Sequence, residues 1–148
     1  MMEIVKPIDE NDIDRNLPEK IKFFKRPLGV ITSSVKTMIY HPKIADASTN
    51  FNITVMECKW TVTPEFKTLI GYISSFSSGC LYCQALTISE AERFGSSKKT
   101  LEEVWNYSNS SVFSNAEKAT LDFAFVAAFV PIKVTDKVLF QLKSYWND

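Results

Sequence analysis

From Thr63 to Gly95 the chain reads as two consecutive helices with only a three-residue break between them, and this punctuation constrains the fold more than any other feature. Thr63-Pro64-Glu65 is a helix start. It supplies a hydroxyl cap, a proline at the first helical position, where an N–H would go unused anyway, and a carboxylate near the positive end of the helix dipole. Phe66, Leu69, Ile70, Ile73 and Phe76 then recur at three- and four-residue intervals, one apolar stripe that faces a core. Ser77-Ser78-Gly79 interrupts the pattern, and a second helix runs from Cys80 to Phe94. Gly95 is its stop, and Glu90, Glu92 and Arg93 make its later turns polar.

The rest of the chain continues in helices. Residues 1–29 read as an arm, with an acidic patch (Asp9, Glu10, Asp12, Asp14) ahead of a short helix from about Pro18 to Arg26 that packs Phe23 and Phe24 inward and is stopped by Pro27 and Gly29. A helical domain over residues 30–148 follows. Val30–Tyr40 is weakly amphipathic, and Pro42 opens a helix to about Cys58, which places Cys58 in that helix's core face. Ser96–Tyr107 is a shorter helix with Leu101, Val104 and Trp105 on its buried side. Ser114-Asn115-Ala116-Glu117 has the capping-box form and opens the most hydrophobic helix. From Leu121 to Val130 that helix is apolar nearly all round except for Asp122, which calls for cover on several sides, and Pro131 ends it. Thr135-Asp136 starts a last helix reaching Trp146. With no alternating strand pattern, repeat or linker, the expected fold is all-α: a compact bundle of about six to seven helices.

Composition excludes several function classes. At 148 residues the chain is about one domain, able to bury roughly two-thirds of its unfolded surface without a disulfide framework. Lys plus Arg and Asp plus Glu each number 17, so neither nucleic acid nor an acidic membrane surface is indicated as a partner. The longest apolar run, Phe123–Val130, is far short of the ~20 residues needed to span a bilayer. Met1–Glu10 carries Glu3, Lys6, Asp9 and Glu10 with no apolar segment, so it is not a secretory signal and the expected location is cytoplasmic.

Chemistry concentrates at Cys80-Leu81-Tyr82-Cys83. Three-residue spacing on a helix puts both sulfurs on one face, close enough to form a disulfide, and a cytosolic Cys-x-x-Cys is more often redox-active or metal-binding than structural. If Ser78 and Gly79 break the preceding helix, Cys80 falls at or near the next cap and Cys83 within its first turn. There the unpaired N–H groups and the helix dipole favour a thiolate over the free thiol, whose reference pKa is ~8.5. Zinc needs four ligands, and beyond this pair only Cys58 and the single histidine, His41, are available. His41, just ahead of Pro42 at a helix junction, reads as a cap or packed side chain rather than a base. Two inert buried cysteines are the plain alternative to a redox pair, and Tyr82 between them serves either the pocket or packing.

The stretch "SSFSSGCLYCQALTISEAERFG", with "FSNAEKATLDFAFVAAFVPIKVTD" downstream and His41-Pro42 and Thr63-Pro64-Glu65 upstream, resembles the alkylhydroperoxidase D-like branch of the carboxymuconolactone decarboxylase family over residues 30–146. The resemblance implies a helical homo-oligomer, trimer or hexamer, whose dithiol Cys80 and Cys83 reduces small-molecule peroxides and is restored by a thiol reductant, with no bound cofactor or metal. The family's activating histidine, three or four residues after the second cysteine, is replaced here by Leu86 and Thr87, and its glutamate twelve residues before the first by Thr68. Glu57, Glu65, Tyr82 and His41 are the residues that folding would have to bring to the sulfurs as substitutes. The resembled branch also continues into one more helix than this chain carries. The expected function is thiol-dependent peroxidase or thiol-disulfide oxidoreductase in antioxidant defence. A redox-silent scaffold of the same fold and a cofactor-free lactone decarboxylase-like enzyme are the alternatives.

Overall fold

The computed structural model describes residues 4–9, 12–13, 31–57 and 61–147. Among them are seven α-helices and no strand, so the fold is all-α. The chain divides into two compact units, residues 1–60 and 61–148. The expected helix over Pro18–Arg26, with Phe23 and Phe24, and the expected core residue Cys58 lie outside the described residues.

In the first unit, α1 (Ser33–Met38) and α2 (Pro42–Glu57) pack around Val35, Ile39 and Ala45. His41 sits exposed at the start of α2, where its carbonyl accepts the N–H groups of Ile44 and Ala45. It acts on the helix start through its main chain.

The second unit is built on α3 (Pro64–Ser77), which packs against both α4 (Leu81–Arg93) and α6 (Asn115–Ala127). Thr63 caps α3 through a Phe66 N–H to Oγ1 bond of 3.2 Å, with Pro64 and Glu65 in the first turn. Phe66, Leu69, Tyr72 and Ile73 form its buried face and meet Ala91, Val104, Phe113, Leu121 and Ala124 in one core. Between α4 and α6 lie α5 (Lys98–Glu103) and a 3₁₀ turn (Val104–Asn106). After α6, α7 (Asp136–Lys143) starts under its Thr135 cap, and Trp146 donates from Nε1 to the Ala116 carbonyl, tying the segment after α7 to the first turn of α6. Among the described residues no helix is long and apolar enough to cross a membrane. Leu121 is fully buried in this core, and Leu121→Ala is expected to lower unfolding stability by about 3–5 kcal/mol, read from denaturant melts.

Two expectations are corrected here. Trp105 is not on the buried side: it is 52% exposed, with its ring edge-on to Phe76 at 4.5 Å and Tyr72 at 5.2 Å, while Val104 takes the core position. The α5 helix has already tightened into the 3₁₀ turn at this point, which rotates Trp105 away from an α-helical register. Likewise α6 stops at Ala127, four residues before Pro131, and Val130 is almost wholly exposed. The last-turn carbonyls have found other donors, since Phe125 O accepts Ser77 Oγ–H at 2.5 Å and Val126 O accepts Lys133 N–H at 3.1 Å. Asp122, the polar exception on this helix, accepts the Tyr107 hydroxyl at 2.7 Å.

Candidate functional site

The turn between α3 and α4 holds the site. Ser78 is the C-cap of α3, and Gly79 follows with φ of +72°, a left-handed conformation that glycine adopts without strain. Gly79 N–H bonds Phe76 O at 3.0 Å and Cys80 N–H bonds Ser75 O at 2.9 Å, the paired bonds of a Schellman motif. The same residue, Cys80, is the N-cap of α4, and its Sγ accepts the Cys83 N–H at 3.3 Å. One residue thus closes one helix and opens the next, which fixes its backbone on both sides. Gly79→Ala meets no steric obstacle but must hold a left-handed φ, so it is expected to destabilise by about 1–2 kcal/mol in thermal or denaturant unfolding.

Cys80 and Cys83 are joined as a disulfide with Cα atoms 5.3 Å apart, and both are half-buried. The neighbouring Leu81 and Tyr82 are exposed, so the pair sits at the surface end of α4. The Ser75 carbonyl collects three donors, Cys80 N–H, Ser78 Oγ–H at 3.2 Å and Gln84 Nε2–H at 3.4 Å, and pins the turn against α4.

Of the three positions that depart from the resembled pattern, Thr68 lies on α3 and Leu86 and Thr87 on α4. Thr87 lies one turn beyond Cys83 and donates its hydroxyl to Cys83 O at 2.7 Å. A Cβ placed on Gly71 would stand 3.2 Å from the Thr87 methyl, so Gly71 allows α3 and α4 to approach closely here. Thr68, one turn before Gly71 on α3, is buried and donates to Glu65 O at 2.6 Å. Leu86 is half-buried on α4. Glu65 lies in the first turn of α3, at the end away from the cysteines, and its Oε1 accepts the Ser96 hydroxyl at 3.4 Å. Glu57 and His41 are exposed residues of the first unit. Among the described residues no three His, Cys, Asp or Glu side chains converge as a metal-binding group.

Gly71 and Ser75 have roles here that the sequence pattern left unassigned, and Ser77, which the pattern places in the helix break, also bonds across to α6. Gly71 left a signal, because an isolated glycine inside a helical stripe costs about 1 kcal/mol relative to alanine and so calls for a packing reason. Ser75 and Ser77 act through carbonyl and hydroxyl bonds that no spacing announces.

Electrostatics around the site are mild. Burial pushes the Glu90 carboxyl, two turns beyond Cys83, above its ordinary value, with no ion pair to offset it among the described residues. Burial, the Asp122 hydrogen bond and the Asp122 charge together raise the Tyr107 hydroxyl. A carboxyl raised in the folded state binds its proton more tightly there than in the unfolded chain, so stability falls as pH rises through the folded value. Glu90→Gln should therefore raise the melting temperature at pH 8, with the gain closing below about pH 4, where Glu90 is protonated in both states.

Fold and site together define a class: an all-α protein that carries a dithiol/disulfide pair at a helix N-terminus. No protein-family model matches the chain, and no curated protein matches it. Two solved structures share its fold, both of the debrominase Bmp8. A cysteine-to-alanine variant of that protein in complex with 2,3,4-tribromopyrrole superposes with a TM-score of 0.91 at 23% identity, covering 100% of this chain and 78% of the other. Its apo form gives 0.89 at 23% identity, covering 98% and 77%. At this identity the likeness is one of fold.

Proposed function

We propose that the protein is a cysteine-dependent oxidoreductase in which the Cys80–Cys83 dithiol delivers two electrons to a small electrophile and closes to a disulfide, which an external thiol then reopens. The observation that carries this reading is the pair itself: two half-buried cysteines at a helix N-terminus, bonded to each other beside exposed neighbours. With a peroxide the balance is ROOH plus two thiols giving ROH, water and the disulfide. Thr68 and Thr87 occupy the positions of the resembled family's relay, so the thiolate depends on the helix terminus and peroxide reduction is slow at neutral pH.

A second electrophile is favoured by one specific observation, the fold shared with a debrominase solved with tribromopyrrole bound. A halogenated arene plus two thiols gives the dehalogenated arene, halide, a proton and the disulfide, the same two-electron closure.

The deciding experiment counts thiols in the reduced protein before and after one equivalent of hydrogen peroxide, and separately of 2,3,4-tribromopyrrole, with the organic product identified. Loss of two thiols mapped by mass spectrometry to a Cys80–Cys83 link, with product formed, supports the reading and selects the electrophile. An unchanged count with both compounds would leave a redox-silent binding or scaffold module.

The proposal includes self-association. Ile70 and Ser74 of α3 with Thr120, Phe123, Ala124 and Ala127 of α6 line an open apolar groove of about 280 Å³. Small side chains along a groove of this kind suit a helix from a second copy, as the trimer or hexamer of the resembled family would require. Sedimentation at micromolar concentration is expected to show an assembly, and a strict monomer would contradict it.

A further inference from the structure

We infer that the row of rings from Trp105 through Phe76 and Phe125 to Phe129, closed by the Lys133 ammonium, is a binding seat for a planar aromatic anion. That the bound anion is the electrophile rests on the dithiol reading above. All five residues belong to the second unit. Phe76 meets Trp105 edge-on with ring centres 4.5 Å apart and stacks on Phe125 at 6.2 Å, and Phe125 meets Phe129 edge-on at 5.2 Å. Rings of this size gain most when fully buried, yet Trp105 is 52% exposed, Phe76 is 42% exposed, and Phe125 and Phe129 are only half-buried. The row is therefore a contiguous aromatic surface with fixed ring planes, which a single exposed side chain is not. An edge-on pair with both rings about half in water leaves a right-angled corner open. A third ring placed there meets one face and one edge, the two arrangements aromatic rings prefer.

Charge selects the ligand further. Lys133 Nζ stands 4.0 Å over the Phe129 ring, and no carboxylate pairs with it among the described residues. An ammonium held at an aromatic face by a cation–π contact keeps donors for an oxyanion. A flat ring lying along Phe76 and Phe125, with its negative group toward Phe129, answers both halves of the row. A phenolate or an aryl carboxylate has that form.

The row is continuous with the dithiol turn. Phe76 O accepts the Gly79 N–H at 3.0 Å, and the Ser77 hydroxyl donates to Phe125 O at 2.5 Å. The main chain beneath the two central rings is thus bonded to the Ser-Ser-Gly break that leads into Cys80, so a bound aromatic is carried at the same end of α3 as the cysteine pair. None of these rings lines the groove assigned above to a second copy, which takes Phe123 and Ala127 from α6.

The test uses the full chain in its disulfide form, which separates binding from any dithiol chemistry. Isothermal titration calorimetry with 2-naphthoate, and with the neutral 2-naphthamide as its uncharged counterpart, reads the seat directly. Phe76→Ala and Trp105→Ala are each expected to weaken naphthoate binding about tenfold. Lys133→Gln should weaken the naphthoate about threefold and leave the amide unchanged, with the difference fading in about 0.5 M salt. Phe51→Ala, which removes an exposed ring of the first unit, should change neither. Should an aromatic variant misfold, the exposed Lys133 still carries the test, through the difference between anion and amide. Absent binding, or binding that survives both aromatic substitutions, overturns the inference. So does a loss of assembly in those two variants with naphthoate affinity unchanged, which would make the row a contact between copies. If naphthoate binds as expected while the thiol count never falls with any electrophile, the seat is upheld and the dithiol reading alone is lost.

Discussion

Serine in place of either Cys80 or Cys83 is expected to lower steady-state turnover by about 10³-fold or more, to the level of the uncatalysed reaction. Two electrons leave the site only if two sulfurs end in one bond, and a single thiol can be oxidised once but has no partner in the turn to release the product oxygen or halide. The loss is chemical rather than structural. Serine is a preferred N-cap, so at position 80 it still accepts the N–H of residue 83 and holds the start of α4. Both variants should keep the far-UV circular dichroism and the oligomeric state of the wild type. Multiple turnover surviving in either variant would remove the dithiol from the mechanism.

A gain of function is expected from Thr87→His combined with Thr68→Glu: steady-state turnover near pH 7 should rise by about tenfold to a hundredfold, the lower part of what general-base assistance supplies. Position 87 lies one turn beyond Cys83, bonds its carbonyl and packs its methyl against Gly71 of α3, which places an imidazole there at the contact between the two helices. A base there would act on the dithiol, so the acceleration should appear in steady-state turnover. Thr68 is 3% exposed, and a glutamate placed there alone is an unpaired buried carboxyl that should destabilise the fold. If the two positions face each other as the resembled family implies, the imidazole of Thr87→His gives the same carboxylate a hydrogen-bonding partner. The two substitutions should therefore be strongly non-additive in both rate and stability, which a double-mutant cycle measures. An intact but no faster double variant would mean that a base does not limit turnover, or that another electrophile is the substrate.

The local punctuation of this fold was legible along the chain. The Thr63 cap with Pro64, the Ser114–Glu117 capping box, the Thr135 cap and the left-handed Gly79 and Gly95 all stand where the residue types ask for them. Each depends on bonds between residues no more than five apart, so neighbours in sequence suffice to specify it. Cys80 at the cap and Cys83 in the first turn follow from the same reasoning, because the Ser-Ser-Gly break sets the helix start that the cysteines occupy.

Longer-range pairings decided the rest. Only the tertiary structure ends α6 at Ala127, because the donors that replace its helix bonds come from Ser77, forty-eight residues earlier, and from the returning Lys133. Asp122 finds Tyr107, and Trp105 turns outward onto Phe76 and Tyr72, through packing that no periodicity encodes. Thr87 meets α3 because a single glycine, Gly71, lets the two helices approach closely there. Sequence by itself determined where helices begin and which atoms are reactive, since capping and thiol chemistry act over a few bonds. Tertiary structure decided which carbonyls, hydroxyls and rings meet, since that depends on how faces of separate helices fit once the core around Leu69 and Leu121 has closed.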